Sequence, residues 1–309
     1  MPEIVISEFM DDDAVAGLSA RFDTLYDKAL VDDPARLRQA IAGARALIVR
    51  NRTRVTADLL EGALGLTCVG RLGVGLDNID VAACAARGVA VFPATGANSL
   101  SVAEYVITAA LMLLRRAYAG TGEVLVGRWP REGMIGGEMS GRTMGLIGFG
   151  GIAQEVATRA QALGMAVTAY DPLVSAFPST FSYVRRVALD ELLAVADVIS
   201  LHVPLTAQTR HMVGPDALLR VKKGAILINT ARGGVVDEAA LADALRAGRL
   251  GGAALDVFEQ EPMTEASGRR FAGIDNLLLT PHIAGVTAES NLRVSQLIAR
   301  KVAQHLDRA

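Results

Sequence analysis

The feature that most constrains this chain is the run Thr143-Met144-Gly145-Leu146-Ile147 leading into Gly148-Phe149-Gly150-Gly151-Ile152-Ala153. An apolar strand signal breaks into closely spaced glycines, a helical stretch follows to about residue 163, and Ala166 to Tyr170 reads as a second strand ending in Asp171. Strand, tight turn, helix and strand at this spacing close as a parallel βαβ unit. The glycines fit G-x-G-x-x-(G/A). Gly148 permits the turn, Gly150 lets a pyrophosphate approach the backbone, and the small Ala153 lets helix and strand pack. Gly151 and Ile152 open a helix whose N-terminus favours phosphate. In a chain with 31 glycines the pattern alone is weak, but an acid about 20 residues further on makes it specific. Asp171 is then placed to accept bonds from a ribose diol and to repel a 2'-phosphate, and residues 172–180 contain no lysine or arginine to receive one. NAD rather than NADP is the expectation; the competing reading is a structural turn with a surface aspartate.

The same rhythm extends over most of the chain. Ile4-Val5-Ile6, Thr24-Leu25-Tyr26, Ala46 to Val49, Cys68-Val69-Gly70 and Val89 to Phe92 read as strands, separated by helices near 13–20, 34–42, 56–63 and 80–87. A long helix from about 101 to 118 follows, then an irregular stretch, Gly120 to Gly141, with the only tryptophan, Trp129. A second α/β series begins at Thr143, and a last helix, about 288–306, returns to the first domain. These elements predict two doubly wound parallel-sheet α/β domains, residues 1–98 with 286–309 and an inserted 99–285, with a cleft between them. A net charge of -2 argues against a nucleic-acid partner. The most apolar helix candidate, Tyr105 to Leu114, is too short to span a bilayer, so no membrane association is expected. Met1-Pro2-Glu3-Ile4 carries no secretory signal, and the chain reads as cytoplasmic. Cys68 and Cys84 read as small buried hydrophobes in a reducing compartment. No cluster has metal-ligand spacing, so no metal is expected.

Three further loops carry chemistry: Asn229-Thr230-Ala231-Arg232-Gly233-Gly234, Phe258-Glu259-Gln260-Glu261-Pro262 and Thr280-Pro281-His282-Ile283-Ala284-Gly285. Each follows or closes a buried-strand signal, Ala225 to Ile228, Ala253 to Val257 or Leu277 to Leu279, and such ends share the ligand-binding edge of an open α/β sheet. A cation, a carboxylate and an imidazole there make an apparatus for proton transfer beside an anionic substrate. His282 is the natural base near neutrality. Glu261 is placed to orient its ring, and Arg232 to grip a carboxylate in a planar fork. Taken singly, each has a structural alternative: a capping arginine, a surface glutamate, a buried histidine. His202 reads as a supporting residue near the cofactor, His211 and His305 as helix-face residues.

With these motifs in place, the chain closely resembles the D-isomer-specific 2-hydroxyacid dehydrogenase family. The likeness covers nearly the whole length, including Gly70-Arg71-Leu72-Gly73-Val74-Gly75-Leu76-Asp77-Asn78-Ile79-Asp80, Ser101-Val102-Ala103-Glu104 and Leu201-His202-Val203-Pro204-Leu205-Thr206. The resemblance implies a flavodoxin-like substrate domain with an inserted Rossmann NAD-binding domain, and a homodimer built largely on the inserted domain. It also implies Arg232, Glu261 and His282 as the catalytic group, with Pro204, Thr209, Thr230, Asp256 and Gly285 lining the cofactor pocket. Gly151 departs from relatives, which often carry a larger polar or basic residue there; a side-chain contact to the pyrophosphate is lost while the backbone cradle stays.

The first domain holds the specificity residues. Its strand ends supply Ser7-Glu8, Arg50-Asn51-Arg52-Thr53 and Arg71-Leu72-Gly73-Val74-Gly75. By resemblance, the N–H groups of Val74 and Gly75 bind the substrate carboxylate. Arg50, Arg52 and Arg71 exceed what one carboxylate needs, so Arg50 or Arg52 is expected to hold a second anion on C3, unless they pair with nearby acids. The loop 70–80 resembles phosphoglycerate dehydrogenases. Ile6-Ser7-Glu8-Phe9-Met10 with Val49-Arg50-Asn51-Arg52-Thr53 resembles (S)-sulfolactate dehydrogenases and tips the expected substrate to 3-sulfolactate over 3-phosphoglycerate, with hydroxypyruvate or glyoxylate as further alternatives. An NADH-sensing binding protein on the same scaffold is the non-enzyme alternative.

Overall fold

A computed structural model describes residues 1–308, the side chains at 117 and 118 excepted. By internal contacts the chain divides into two units, Met1–Asn98 with Val286–Ala309, and Ser99–Gly285.

The first unit is built on a five-stranded sheet: β1 (Ile4–Ile6), β2 (Thr24–Tyr26), β3 (Ala46–Val49), β4 (Cys68–Arg71) and β5 (Ala90–Pro93). Their order is β2-β1-β3-β4-β5 and every pairing is parallel, the flavodoxin-like arrangement. β1 and β3 are buried along their whole length, because helices cover both faces of a parallel sheet; this is why these strands are uninterrupted apolar runs. The helix Ala288–Leu306 starts at a capping box formed by Thr287 and Ser290. Its Ile298 and Val302 lie against β4 at Gly70, where an added Cβ would sit 2.6 Å from Ile298. Ile298 is fully buried, so truncating it to alanine costs about 2–5 kcal/mol.

The second unit carries seven parallel strands: β6 (Thr143–Ile147), β7 (Ala166–Tyr170), β8 (Val184–Arg186), β9 (Val198–Leu201), β10 (Ile226–Asn229), β11 (Gly252–Leu255) and β12 (Leu277–Leu279). Their order is β12-β11-β10-β9-β6-β7-β8, so the direction in which successive strands are added reverses between β6 and β9, the topological switch point of a Rossmann sheet. Apolar clusters on the two faces share this sheet. One includes Val106, Ala110 and Leu113 of the helix Ser99–Arg115 with Val156 and Ala160 of the helix Gly151–Ala162; the other includes Leu192, Leu241 and Leu245. Because all seven strands are parallel, the loops after β6, β7, β9, β10, β11 and β12 leave from one edge.

Two local expectations are corrected, and one strand is found that the sequence pattern does not anticipate. The long helix ends at Arg115, not near 118, because Arg116 takes a left-handed conformation with φ 53° that no helix propagates. β8 is a short edge strand with two exposed residues, and its Val-Arg-Arg gives no apolar signal. His211 is not on a helix: it sits in a turn at φ 50° with its ring toward Glu259. No helix among the described residues is long and apolar enough to cross a membrane.

Candidate functional site

In the second unit the glycine loop leaves β6 with Gly148 at φ 88°, and an added Cβ there would lie 2.9 Å from the His202 carbonyl oxygen. Gly150, by contrast, has open space where its Cβ would point, and it precedes a helix with no side-chain cap. A phosphate group fits that arrangement, since uncapped N–H groups and the helix dipole face a gap free of side chains. Asp171, just past β7, accepts the N–H of Phe149 at 2.9 Å on one oxygen and that of Leu173 at 2.9 Å on the other. The carboxylate thus braces the glycine loop, and its remaining lone pairs can take a ribose diol. Past β9 and β10, the buried Nε2 of His202 and Oγ1 of Thr230 have no protein partner among the described residues. Burial pushes the His202 imidazole down to about 3, so it is neutral at ordinary pH. Orphaned polar atoms at strand ends, with the gap at Gly150, match what an elongated, polar dinucleotide requires. Thr209 and Pro204 close a turn on themselves, the threonine hydroxyl donating to the Pro204 carbonyl at 2.6 Å.

Side chains of Asn229, Asp256 and Tyr105 assemble the three loops. Asn229, the last residue of β10, is buried; its oxygen accepts the Ala231 N–H at 3.0 Å and its NH2 donates to the Arg232 carbonyl at 2.9 Å. That double bond fixes the backbone that presents Arg232, as an asparagine in such a turn does. Asp256, expected in the cofactor pocket, is buried with its carboxylate turned into the loop after β12. It accepts the Thr280 hydroxyl at 2.6 Å and the N–H groups of Ile283 and Ala284, each at 2.8 Å. Since Thr280 donates to Asp256, its oxygen accepts from Tyr105, 2.6 Å away. Burial raises the Tyr105 pKa against that hydrogen bond, so the phenol stays a donor. Nothing in local sequence links Tyr105 to a loop 175 positions later.

His282 sits inside this scaffold at φ 57°, a left-handed conformation uncommon for residues other than glycine, and its N–H is held by the carbonyls of Asp256 at 2.8 Å and Thr280 at 3.0 Å. Its Nδ1 lies 2.8 Å from Glu261 Oε2, and Glu261 Oε1 accepts the Phe258 N–H at 2.9 Å. Burial alone would raise the Glu261 pKa. The hydrogen bonds from His282 and Phe258, with the charges of His282 and Arg232, overturn that and hold the carboxyl below its ordinary value. An ionised carboxylate only accepts, so Nδ1 must carry the proton and Nε2 keeps its lone pair. The Arg232 and Glu261 loops touch at Gly233, where an added Cβ would fall 1.7 Å from the Phe258 carbonyl oxygen. The geometry supplies a base with a fixed tautomer, a carboxylate that stabilises its protonated form, and a cation in electrostatic reach. Gly151, Ile152 and Gly285 lie at the glycine-loop helix and at the end of the His282 loop.

In the first unit the expected anion residues separate. Ser7 and Glu8 do not point outward: both are buried. Glu8 accepts the N–H groups of Arg50 at 2.8 Å, Arg52 at 3.1 Å and Thr53 at 2.9 Å. Burial would raise its pKa, but these hydrogen bonds hold it low. Arg52 is exposed and forms an ion pair with Asp32, so that expectation gives way to the simpler surface reading. Arg50 is half-buried, donates to Asn291 Oδ1 at 2.9 Å and lies 5.6 Å over the Phe9 ring. Arg71 folds back to donate to the Leu72 carbonyl at 2.9 Å, occupying the space where a Cβ on Gly73 would be. Val74 and Gly75 follow, and none of the backbone hydrogen bonds among the described residues uses their N–H groups.

The comparisons agree with this architecture. The model of the D-isomer specific 2-hydroxyacid dehydrogenase NAD binding domain matches residues 107–284. The chain is 54% identical over 307 residues to the (S)-sulfolactate dehydrogenase of Chromohalobacter salexigens, covering 99% of each. It is 43% identical over 270 residues to the hydroxypyruvate reductase of Thermotoga maritima, covering 87% of each. The crystal structure of a D-lactate dehydrogenase from Aquifex aeolicus, complexed with NAD and lactic acid, superposes with a TM-score of 0.85 at 29% identity, over 99% of this chain and 96% of that one. A shared fold, a matching cofactor domain and identity across the full length lead to one conclusion: the chain belongs to the D-isomer specific 2-hydroxyacid dehydrogenases, oxidoreductases that use NAD.

Proposed function

We propose that this chain interconverts a D-type 2-hydroxy acid bearing a second anionic group, 3-sulfolactate, with its 2-keto acid. The observation that carries the chemistry is the 2.8 Å contact between the Glu261 carboxylate and His282 Nδ1. It leaves Nε2 free to take the hydroxyl proton during oxidation and to return it during reduction. Bound NAD supplies the hydride acceptor. Glu261 stabilises the imidazolium that forms, as a carboxylate does beside a histidine base. Arg232 holds the substrate carboxylate and polarises the C2 oxygen. Arg50 is the residue we assign to the distal anion, because it is half-buried and carries no carboxylate ion pair among the described residues, whereas Arg52 is already paired with Asp32. Val74 and Gly75 offer N–H groups to the carboxylate.

Identity of 54% along the whole chain to a sulfolactate dehydrogenase supports the substrate. An (S) label there describes the same spatial arrangement as a D-lactate-type centre, because sulfur on C3 outranks the carboxyl. Hydroxypyruvate is the second reading, favoured by the Thermotoga maritima relative. We also place the protein in the cytoplasm and as a homodimer, whose contact is the arm bearing exposed Leu125, Trp129 and Ile135. Two unpaired, buried cysteines suit a reducing compartment. NADH oxidation with sulfopyruvate, phosphohydroxypyruvate, hydroxypyruvate and glyoxylate tests the reading. Sulfopyruvate should give the highest kcat/KM, and Arg50→Ala should raise KM for the two acids with a distal anion about 10–100-fold, the worth of one charge-assisted hydrogen bond. Glyoxylate should be unaffected. No turnover with any acid would support an NADH sensor instead.

A further inference from the structure

Behind the Glu261 turn lies a second set of ionisable groups that the reaction does not use. Glu238, the first residue of the helix Glu238–Arg246, is 4% exposed. Its Oε1 accepts the Glu259 N–H at 2.6 Å, and its own N–H donates to Glu259 Oε1 at 3.3 Å. Arg270 Nη1 lies 3.2 Å from Glu238 Oε2 and 3.5 Å from Glu259 Oε2, while His211 Nε2 is 3.1 Å from Glu259 Oε1. Two carboxylates therefore exchange backbone hydrogen bonds and share the Arg270 guanidinium as counter-charge, while the His211 ring contacts Glu259 alone. Burial raises the Glu238 pKa, the Glu259 N–H and Arg270 oppose it, and the charges of Glu259 and Asp237 add to it.

Burying a carboxylate is unfavourable by several kcal/mol unless its bonds are made, so its location is informative. Glu238 is six residues after Arg232, and its partner Glu259 is two residues before Glu261. Packing at Gly233 against the Phe258 carbonyl sets how closely the two segments approach, and the reciprocal hydrogen bonds fix their register along one another. The Phe258 N–H already closes the turn onto Glu261, and the Glu259 N–H in the middle of that turn is pinned by Glu238. We propose that Glu238 and Glu259 are positioning residues that lock the Arg232 segment to the Glu261 turn, and so set the Glu261–His282 hydrogen bond and the basicity of His282. Arg270 supplies the counter-charge to both carboxylates, and the His211 ring adds a contact to Glu259. This rests on the roles given above to Glu261 and His282.

The test compares Glu238→Ala with Glu238→Gln in the full-length enzyme, with His282→Ala alongside. Alanine removes the acceptor for the Glu259 N–H; glutamine keeps an amide oxygen there. Glu238→Ala should lower kcat about 10–100-fold, the effect of a displacement of roughly 1 Å at a reacting group, with NADH affinity unchanged. The acid limb of kcat/KM for hydroxy-acid oxidation should move to lower pH, because an imidazole that loses its carboxylate gives up its proton more readily. Glu238→Gln should keep kcat and the limb near native. Should Glu238→Ala not fold, Glu259→Ala, at a more exposed position, is read in the same way. A lowered melting temperature with native kcat and native pH limb would overturn the proposal, as would a Glu238→Gln enzyme as impaired as Glu238→Ala. If His282→Ala is inactive while Glu238→Ala is native, this inference alone fails; if His282→Ala is native, the reading of the site fails.

Discussion

Gly233→Ala separates the geometry of the site from its chemical groups. The change adds one methyl, touches none of the ionisable residues, and asks for no unusual backbone, since Gly233 is not among the positive-φ glycines. The obstacle is space. The new Cβ would lie 1.7 Å from the Phe258 oxygen and 2.1 Å from its carbon, whereas ordinary contact begins near 3.4 Å. The segment carrying Arg232 and the turn carrying Glu261 must therefore part by about 1.7 Å, more than the roughly 1 Å misplacement that costs on the order of 10²-fold in rate. The expected loss in kcat is on the order of 10²–10³-fold. Overpacking also destabilises by about 1–3 kcal/mol, which leaves a domain of ordinary stability folded. Steady-state NADH oxidation, with circular dichroism and NADH fluorescence titration on the same samples, measures the effect. Gly122→Ala is the control, because a Cβ there meets nothing within 4 Å. A Gly233→Ala enzyme within threefold of native kcat would refute the claim that the two loops are braced at this contact.

Asp171→Ala should relax the preference for NAD over NADP by about tenfold or more, through loss of a charge that repels a 2'-phosphate, and should also raise the KM for NAD because the Phe149 N–H loses its acceptor; an unchanged cofactor ratio would speak against the assignment. His202 stays neutral in the fold down to about pH 3 but takes a proton below 6.5 when unfolded, so its burial costs stability that grows as pH falls between those values. His202→Gln removes that cost, and urea unfolding should show its stability relative to native rising by on the order of 2 kcal/mol from pH 7 to pH 5; a pH-independent difference would contradict it.

Much of the fold is readable because a parallel sheet covered on both faces demands continuous apolar strands. Ala46–Val49 is such a run, and Gly148 to Asp171 joins backbone geometry and chemistry within one βαβ unit. The reactive groups stand out because strand ends are the places where charge interrupts such runs. What holds them there is another matter. Glu8 captures N–H groups more than forty positions away, and Tyr105 reaches Asp256 only through Thr280. Arg50 and Arg52 look equivalent in sequence, yet one is half-buried against Phe9 and the other pairs with Asp32 on the surface. These partners are chosen by packing, and no local periodicity encodes them.

The proposed chemistry turns on His282 as the proton-transferring group of the second unit. Turnover of His282→Ala, measured with the best acid of the panel and with NADH affinity on the same preparation, tests it most directly. Loss of kcat by about 10²–10⁴-fold with NADH binding retained is the predicted result, the range of a positioned general base. Near-native turnover would contradict it.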